Sequence, residues 1–250
     1  MIDWREVSRI HQLCIANPEL LSKAPQSLIA LFKYDWLTPL YDKGGNQFFG
    51  GRPKQLFQNY YSKDKDIVAA ICGRGFGKTR AMSEYIKHWL FTESLPNNSI
   101  LYIAPTYDHL SFLQSDPAGI TANLPIEYRP IQKGTKILYF PKHKVNLYFA
   151  TPDSYDSSAR GKNTSLLCID ELCAMEPNNP SYIEEVFDNA YFANRINSKS
   201  YPKTLITTTP RPTSFLKKLL AQPNVEQING TTFENYHLND SWKEKLAIYK

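Results

Sequence analysis

Two short stretches of this sequence hold residues that could handle a phosphate chain. The first is Cys72-Gly73-Arg74-Gly75-Phe76-Gly77-Lys78-Thr79. It nearly matches the spacing GxxxxGK[ST], with Cys72 where the first glycine usually stands. Gly73, Gly75 and Gly77 open backbone conformations closed to other residues, so that successive N–H groups can turn inward around phosphate oxygens. Lys78 would reach β- and γ-phosphates, the Thr79 hydroxyl would ligate Mg²⁺, and Arg80 follows on the first helical turn. The second stretch is Leu166-Leu167-Cys168-Ile169-Asp170-Glu171, an apolar run that ends in two carboxylates. Asp170 is placed to hold the hydration shell of Mg²⁺, and Glu171 to activate a water against a γ-phosphate. A second carboxylate beside the first favours hydrolysis over transfer to another substrate.

Such chemistry requires the loop and the acidic pair to leave neighbouring strands at one edge of a sheet. The pattern predicts this arrangement. Ile67-Val68-Ala69-Ala70-Ile71 reads as a short buried strand before the loop, and a helix follows from about 78 to 91. Residues 100–104 form a second strand closed by Pro105, with a short helical segment from Tyr107. Residues 137–140 and 145–149 flank Pro141-Lys142-His143-Lys144 as two antiparallel strands joined by a tight turn. Residues 166–169 and 204–208 give two more strands, with a helix around 182–193 between them. Strands alternating with helices imply an α/β fold with a mainly parallel sheet covered on both faces. Residues 1–50, with a helical stretch over 4–15 and an aromatic-rich region, read as a small N-terminal appendage on a main domain of 51–250.

Composition sets the bounds. The chain has 250 residues, 42% hydrophobic and 21% charged, which suits a folded chain with a sizeable core. No apolar run approaches the roughly 18 residues of a membrane span, and the N-terminus lacks a secretory pattern, so an intracellular setting is expected. The cysteines at 14, 72, 168 and 173 form no CxxC pair and read as reduced core residues, while five scattered histidines offer no zinc pattern. A net charge of +5 mildly favours a polyanionic partner.

Taken in order, the motifs resemble the ATPase domain of the large terminase subunit, a viral motor that packages double-stranded DNA. These are Pro53-Lys54-Gln55 before the loop, Arg74 inside it, Ala104-Pro105-Thr106, Ala159-Arg160-Gly161, Asp170-Glu171, Thr207-Thr208-Thr209-Pro210 and Thr231-Thr232-Phe233-Glu234-Asn235. The resemblance covers about residues 53–240 and implies a P-loop NTPase fold of the RecA/ASCE type that binds ATP and Mg²⁺. It implies that Gln55 reads adenine, with Gln58 one turn later as the alternative. Arg160 would be the arginine finger, with Arg74 its competitor, either acting in cis or in trans. Residues 207–209 would couple γ-phosphate loss to motion. The implied partners are double-stranded DNA, the portal protein, the small terminase subunit and further copies in a ring, a pentamer by family analogy, working in the host cytoplasm.

Full-length relatives carry a C-terminal nuclease, and a chain that stops at Lys250 inside an expected helix over 241–249 leaves no room for one. An isolated ATPase domain that does not cut DNA is therefore expected. A helicase-like ATPase that remodels nucleic acid is the alternative reading. It would need a second RecA-like lobe, for which the length leaves no space. A nucleotide-binding scaffold without turnover fits poorly with an intact set of Lys78, Thr79, Asp170 and Glu171. The DNA-gripping face is not legible, because lysines and arginines are dispersed along the chain.

Overall fold

The computed structural model describes Trp36, residues 40–41 and 47–48, and residues 51–245 apart from 116–117, 122–123, 125, 176–179, 236–237, 239–240 and 243. The expected helix over 4–15 and most of the aromatic appendage lie outside the described residues, as do the last residues of the helix expected over 241–249. A two-stranded ribbon pairs β1 (Leu40–Tyr41) with β2 (Gln47–Phe48).

The main sheet has eight strands: β3 (Ile67–Cys72), β4 (Ser99–Ile103), β5 (Ile131–Gln132), β6 (Ile137–Phe140), β7 (Val145–Ala150), β8 (Leu166–Ile169), β9 (Lys203–Thr208) and β10 (Val225–Gly230). Their spatial order is β10-β3-β9-β8-β4-β7-β6-β5. The six strands from β10 to β7 are parallel, whereas β6 and β5 continue the sheet antiparallel. The apolar runs are fully buried because a parallel sheet is covered on both faces. Their side chains alternate, so Val68, Ala70 and Cys72 join one core with Met82, Tyr85, Ile86 and Trp89 of helix α1 (Lys78–Thr92). Ile67 and Ala69 join the opposite core with Ile183, Val186 and Phe187. These three residues belong to a helix, Pro180–Ala193, in the later part of the chain.

The other helices are α2 (Asp108–Ser115), α3 (Tyr155–Ser158), α4 (Leu172–Met175), α5 (Pro180–Ala193) and α6 (Ser214–Leu220). Five of these elements, β5, β10, α3, α4 and α6, were not expected from the sequence. β10 is an edge strand in which only Val225 and Ile228 are buried, so Val-Glu-Gln-Ile-Asn-Gly shows no apolar run. The register decides where function can sit. Ile169 pairs with Ile103 and Ile206, and Ala70 and Ile71 pair with Thr207 and Thr208. The loop after Cys72, the pair after Ile169 and the threonines ending β9 therefore emerge together at one edge. No helix among the described residues is long and apolar enough to cross a membrane.

Candidate active site

The glycine-rich loop, residues 73–77, joins β3 to α1. Cys72 is the last residue of β3, in extended backbone, so a glycine is not required there, and the left-handed angles fall on Gly75 (φ 75°) and Gly77 (φ 91°). Burial pushes the Cys72 thiol up to about 12, which keeps it protonated and a plain packing residue. Two further close approaches fix the loop. A Cβ at Gly73 would lie 2.6 Å from the Thr232 hydroxyl, and one at Gly230 would lie 2.4 Å from the Phe76 ring. Phe76 is completely buried, with the Arg52 guanidinium 4.7 Å from its ring centroid.

Side chains from before β3 and after β10 hold the loop carbonyls. The Gln55 amide donates to the Phe76 carbonyl at 3.0 Å and accepts from Arg52 Nε at 3.1 Å. Thr232 Oγ1 donates to the Arg74 carbonyl and Asn235 Nδ2 to the Gly75 carbonyl, each at 2.6 Å. With these carbonyls engaged by side chains, the loop conformation is braced from three directions. The ion pair of Lys54 with Glu234, at 3.0 Å, closes the same ring of contacts.

Lys78 is buried, and its ammonium meets the Cys72 carbonyl at 3.0 Å, the Thr209 hydroxyl at 3.1 Å and Glu171 Oε1 at 3.1 Å. The loop and the acidic tip thus face each other across one gap. Glu171 sits at φ 51°, a left-handed angle rarely taken by a residue with a side chain, at the turn from β8 into α4. Its carboxylate also accepts from the Thr209 backbone N–H and hydroxyl, both at 3.0 Å. Burial by itself would raise its pKa, but the Lys78 charge and the Thr209 donors hold the carboxyl below the usual range.

Asp170 is fully buried, with one oxygen accepting from the Tyr102 hydroxyl at 2.9 Å and the other from the Thr207 hydroxyl. Burial pushes this carboxyl up, and the neighbouring Glu171 charge adds to the rise against the two hydroxyl bonds. Between these neighbours Thr208 Oγ1 accepts from the Cys173 N–H at 3.0 Å, so each threonine of 207–209 engages a different part of the acidic segment. For Mg²⁺, the Thr79 hydroxyl and the Asp170 carboxylate are oxygen donors of the hard type that ion takes, and its habit of keeping several waters suits a carboxylate set back in the sheet. Among the described residues no cluster of three or more His, Cys, Asp or Glu forms an all-protein metal cage.

Arg80 lies on the first turn of α1, paired to Glu84 at 2.6 Å and 5.2 Å from the Trp36 ring centroid. Arg74 is exposed on the loop. Arg160 is elsewhere. It is exposed on the turn after α3, where its guanidinium pairs with Asp156 at 3.1 Å. β7, which leads into that turn, lies four places from β3 in the sheet, or about 19 Å at the ordinary strand spacing. The partner of Arg160 is thus on its own helical turn and not on the loop. Sequence reasoning missed Arg52 and Tyr102, since a lone arginine and an aromatic in an apolar strand carry no motif. It quoted Thr232 and Asn235 within a motif without assigning them this hold on the loop.

Residues 70–246 match the family of the terminase large subunit, T4-like virus type, N-terminal part. Among solved structures, the large terminase of the thermophilic bacteriophage D6E is similar at a TM-score of 0.60 and 18% identity, over 78% of this chain and 49% of that one. Its complex with ATP-gamma-S gives 0.55 and 20%, over 78% and 48%. The large terminase ATPase domain of Thermus phage P74-26 gives 0.52 and 17%, over 80% and 87%. The chain thus spans about half the length of the D6E terminase, and the P-loop NTPase fold is common to all of them. No curated protein sequence matches this chain.

Proposed function

Because this chain belongs to the terminase large-subunit family, in its T4-like N-terminal branch, we propose that it is the ATP-hydrolysing motor part of a machine that drives double-stranded DNA into a viral procapsid. The observation that carries the reading is the meeting of Lys78, Glu171 and Thr209 within 3.1 Å at the edge where the glycine loop and Asp170 also emerge. A triphosphate lies along the loop N–H groups and the positive N-terminus of α1. Lys78 exchanges Glu171 for phosphate oxygens, and the released carboxylate, still held by the Thr209 donors and freed of the charge that lowered its basicity, takes the proton of the attacking water. Mg²⁺, held through Thr79 and Asp170, would neutralise charge on the phosphates. Thr209 touches both Lys78 and Glu171, so a change at either is felt at the end of β9. Gln55 serves the loop from behind, and a contact with adenine requires its amide to leave the Phe76 carbonyl; Gln58 remains the alternative.

Arg160, exposed and paired with Asp156 on its own helical turn, is assigned to the nucleotide of a neighbouring copy, and Arg74 to its own. The ring this implies, together with the portal protein, the small terminase subunit and work in the host cytoplasm, belongs to the same proposal. Glu171→Gln tests its centre. Turnover of ATP should fall about 10²- to 10⁴-fold, the usual weight of a general base, while affinity for a slowly hydrolysed analogue stays near wild type. Unchanged turnover would remove Glu171 from that role.

A further inference from the structure

The acidic residues define a direction along the candidate pocket. Glu171, Asp170 and Thr209 all stand on the β8 and β9 side of the loop, so a γ-phosphate attacked there points toward those strands. A base at the other end of the same nucleotide must then leave the loop on the opposite side, toward β10. That side is not bare. The chain leaves β10, turns at Thr232–Glu234, and brings two apolar side chains back onto the loop. A Cβ at Gly75 would lie 2.9 Å from two atoms of the Trp242 six-membered ring and 3.0 Å from Leu238 Cδ1. Asn235, between them and the turn, donates to the Gly75 carbonyl. Trp242 is only partly buried.

Resting on the nucleotide reading above, we propose that Trp242 is the wall of the base pocket, an aromatic surface on which the purine of a bound nucleoside triphosphate stacks. Neither loop glycines nor acidic pair offers the base an apolar face, and the Gln55 amide is spent on Phe76. An indole supplies that face for any purine, since every base presents a π surface.

The test compares a nucleotide with its phosphates alone. Binding of an unhydrolysable ATP analogue and of inorganic tripolyphosphate, both with Mg²⁺, is measured by calorimetry on the full chain and on Trp242→Ala and Trp242→Phe. Trp242→Ala should weaken the analogue roughly 5- to 150-fold, the range for one base–aromatic stack. Tripolyphosphate affinity should not change, and Trp242→Phe should recover most of the loss. An equal loss for both ligands would make Trp242 a support of the loop and overturn the proposal, as would unchanged analogue affinity. Failure of the wild-type chain to bind either ligand would instead overturn the phosphate site itself.

Discussion

Two ion pairs of this fold stand in contrast. Lys78–Glu171 is 6% and 27% exposed and is surrounded by loop carbonyls and threonine donors, whereas Arg160–Asp156 is 58% and 55% exposed. The first is oriented from several directions by its own chain. The second is a lone pair one helical turn apart, of the kind worth little in water. The contrast teaches that this fold rigidly orients the side chains proposed to act on its own phosphate and holds Arg160 only by an exposed pair, as suits a group proposed to serve another molecule.

The strongest way to break that contrast is Arg160→Ala. In an assembled ring it should lower turnover by about 10³- to 10⁵-fold, the weight of an arginine finger, with no change in thermal stability. Mixing it with inactive Glu171→Ala chains should restore part of the rate, since each lacks a different half of one shared site. Recovery absent from a verified ring would count against action across the boundary, and a lowered melting point would show that Asp156 needs its partner structurally.

A smaller effect separates the two adjacent carboxylates inside the built region. The Asp170 pKa is raised from its ordinary 3.8, so the folded chain holds that proton more readily than the unfolded one, and its contribution to stability declines as pH rises above that value. Glu171 is lowered from 4.5, so its contribution is present above that pH and is lost as pH falls below it. Asp170→Asn should therefore raise the melting temperature at neutral pH, by about 2–4 °C if the gain is ~1 kcal/mol. It should also flatten the alkaline side of the stability profile while abolishing Mg²⁺-dependent turnover. A lower melting point would mean that the Tyr102 and Thr207 hydroxyls need a charged acceptor.

The sequence exposed the built region better than the rest, for physical reasons. Ile67–Ile71 and Leu166–Ile169 are apolar because both faces of a parallel strand are covered, and the glycines at 75 and 77 are imposed by left-handed backbone, so both left marks in the residue pattern. β10 left none, being half exposed, and α6, Ser214–Leu220, is too short for a clear period. Cys72 breaks the loop motif only on paper, since its backbone is that of a strand. The hold of Thr232 and Asn235 on the loop, and the place of Trp242, depend on the chain folding back some 160 residues later, and no local spacing encodes that.

The finest test concerns the contacts that brace the built region from outside. Lys54 precedes the loop strand and Glu234 follows β10, so their pair joins the two segments that hold the loop carbonyls. Lys54 is 45% exposed at its side chain, and Glu234 already accepts from the Thr231 N–H at 2.9 Å. Solvent screening at Lys54 and this prior engagement of Glu234 both argue for a small coupling. A double-mutant cycle of Lys54→Met and Glu234→Gln, read by denaturant unfolding, should give about 0.2–1 kcal/mol, smaller still in high salt. Nucleotide affinity should barely move, because Gln55, Thr232 and Asn235 keep the loop carbonyls engaged. A coupling several times larger would mean that the loop depends on this outer clasp, and the distinction between a self-supporting site and an exposed Arg160 would then rest on the clasp as much as on Lys78 and Glu171.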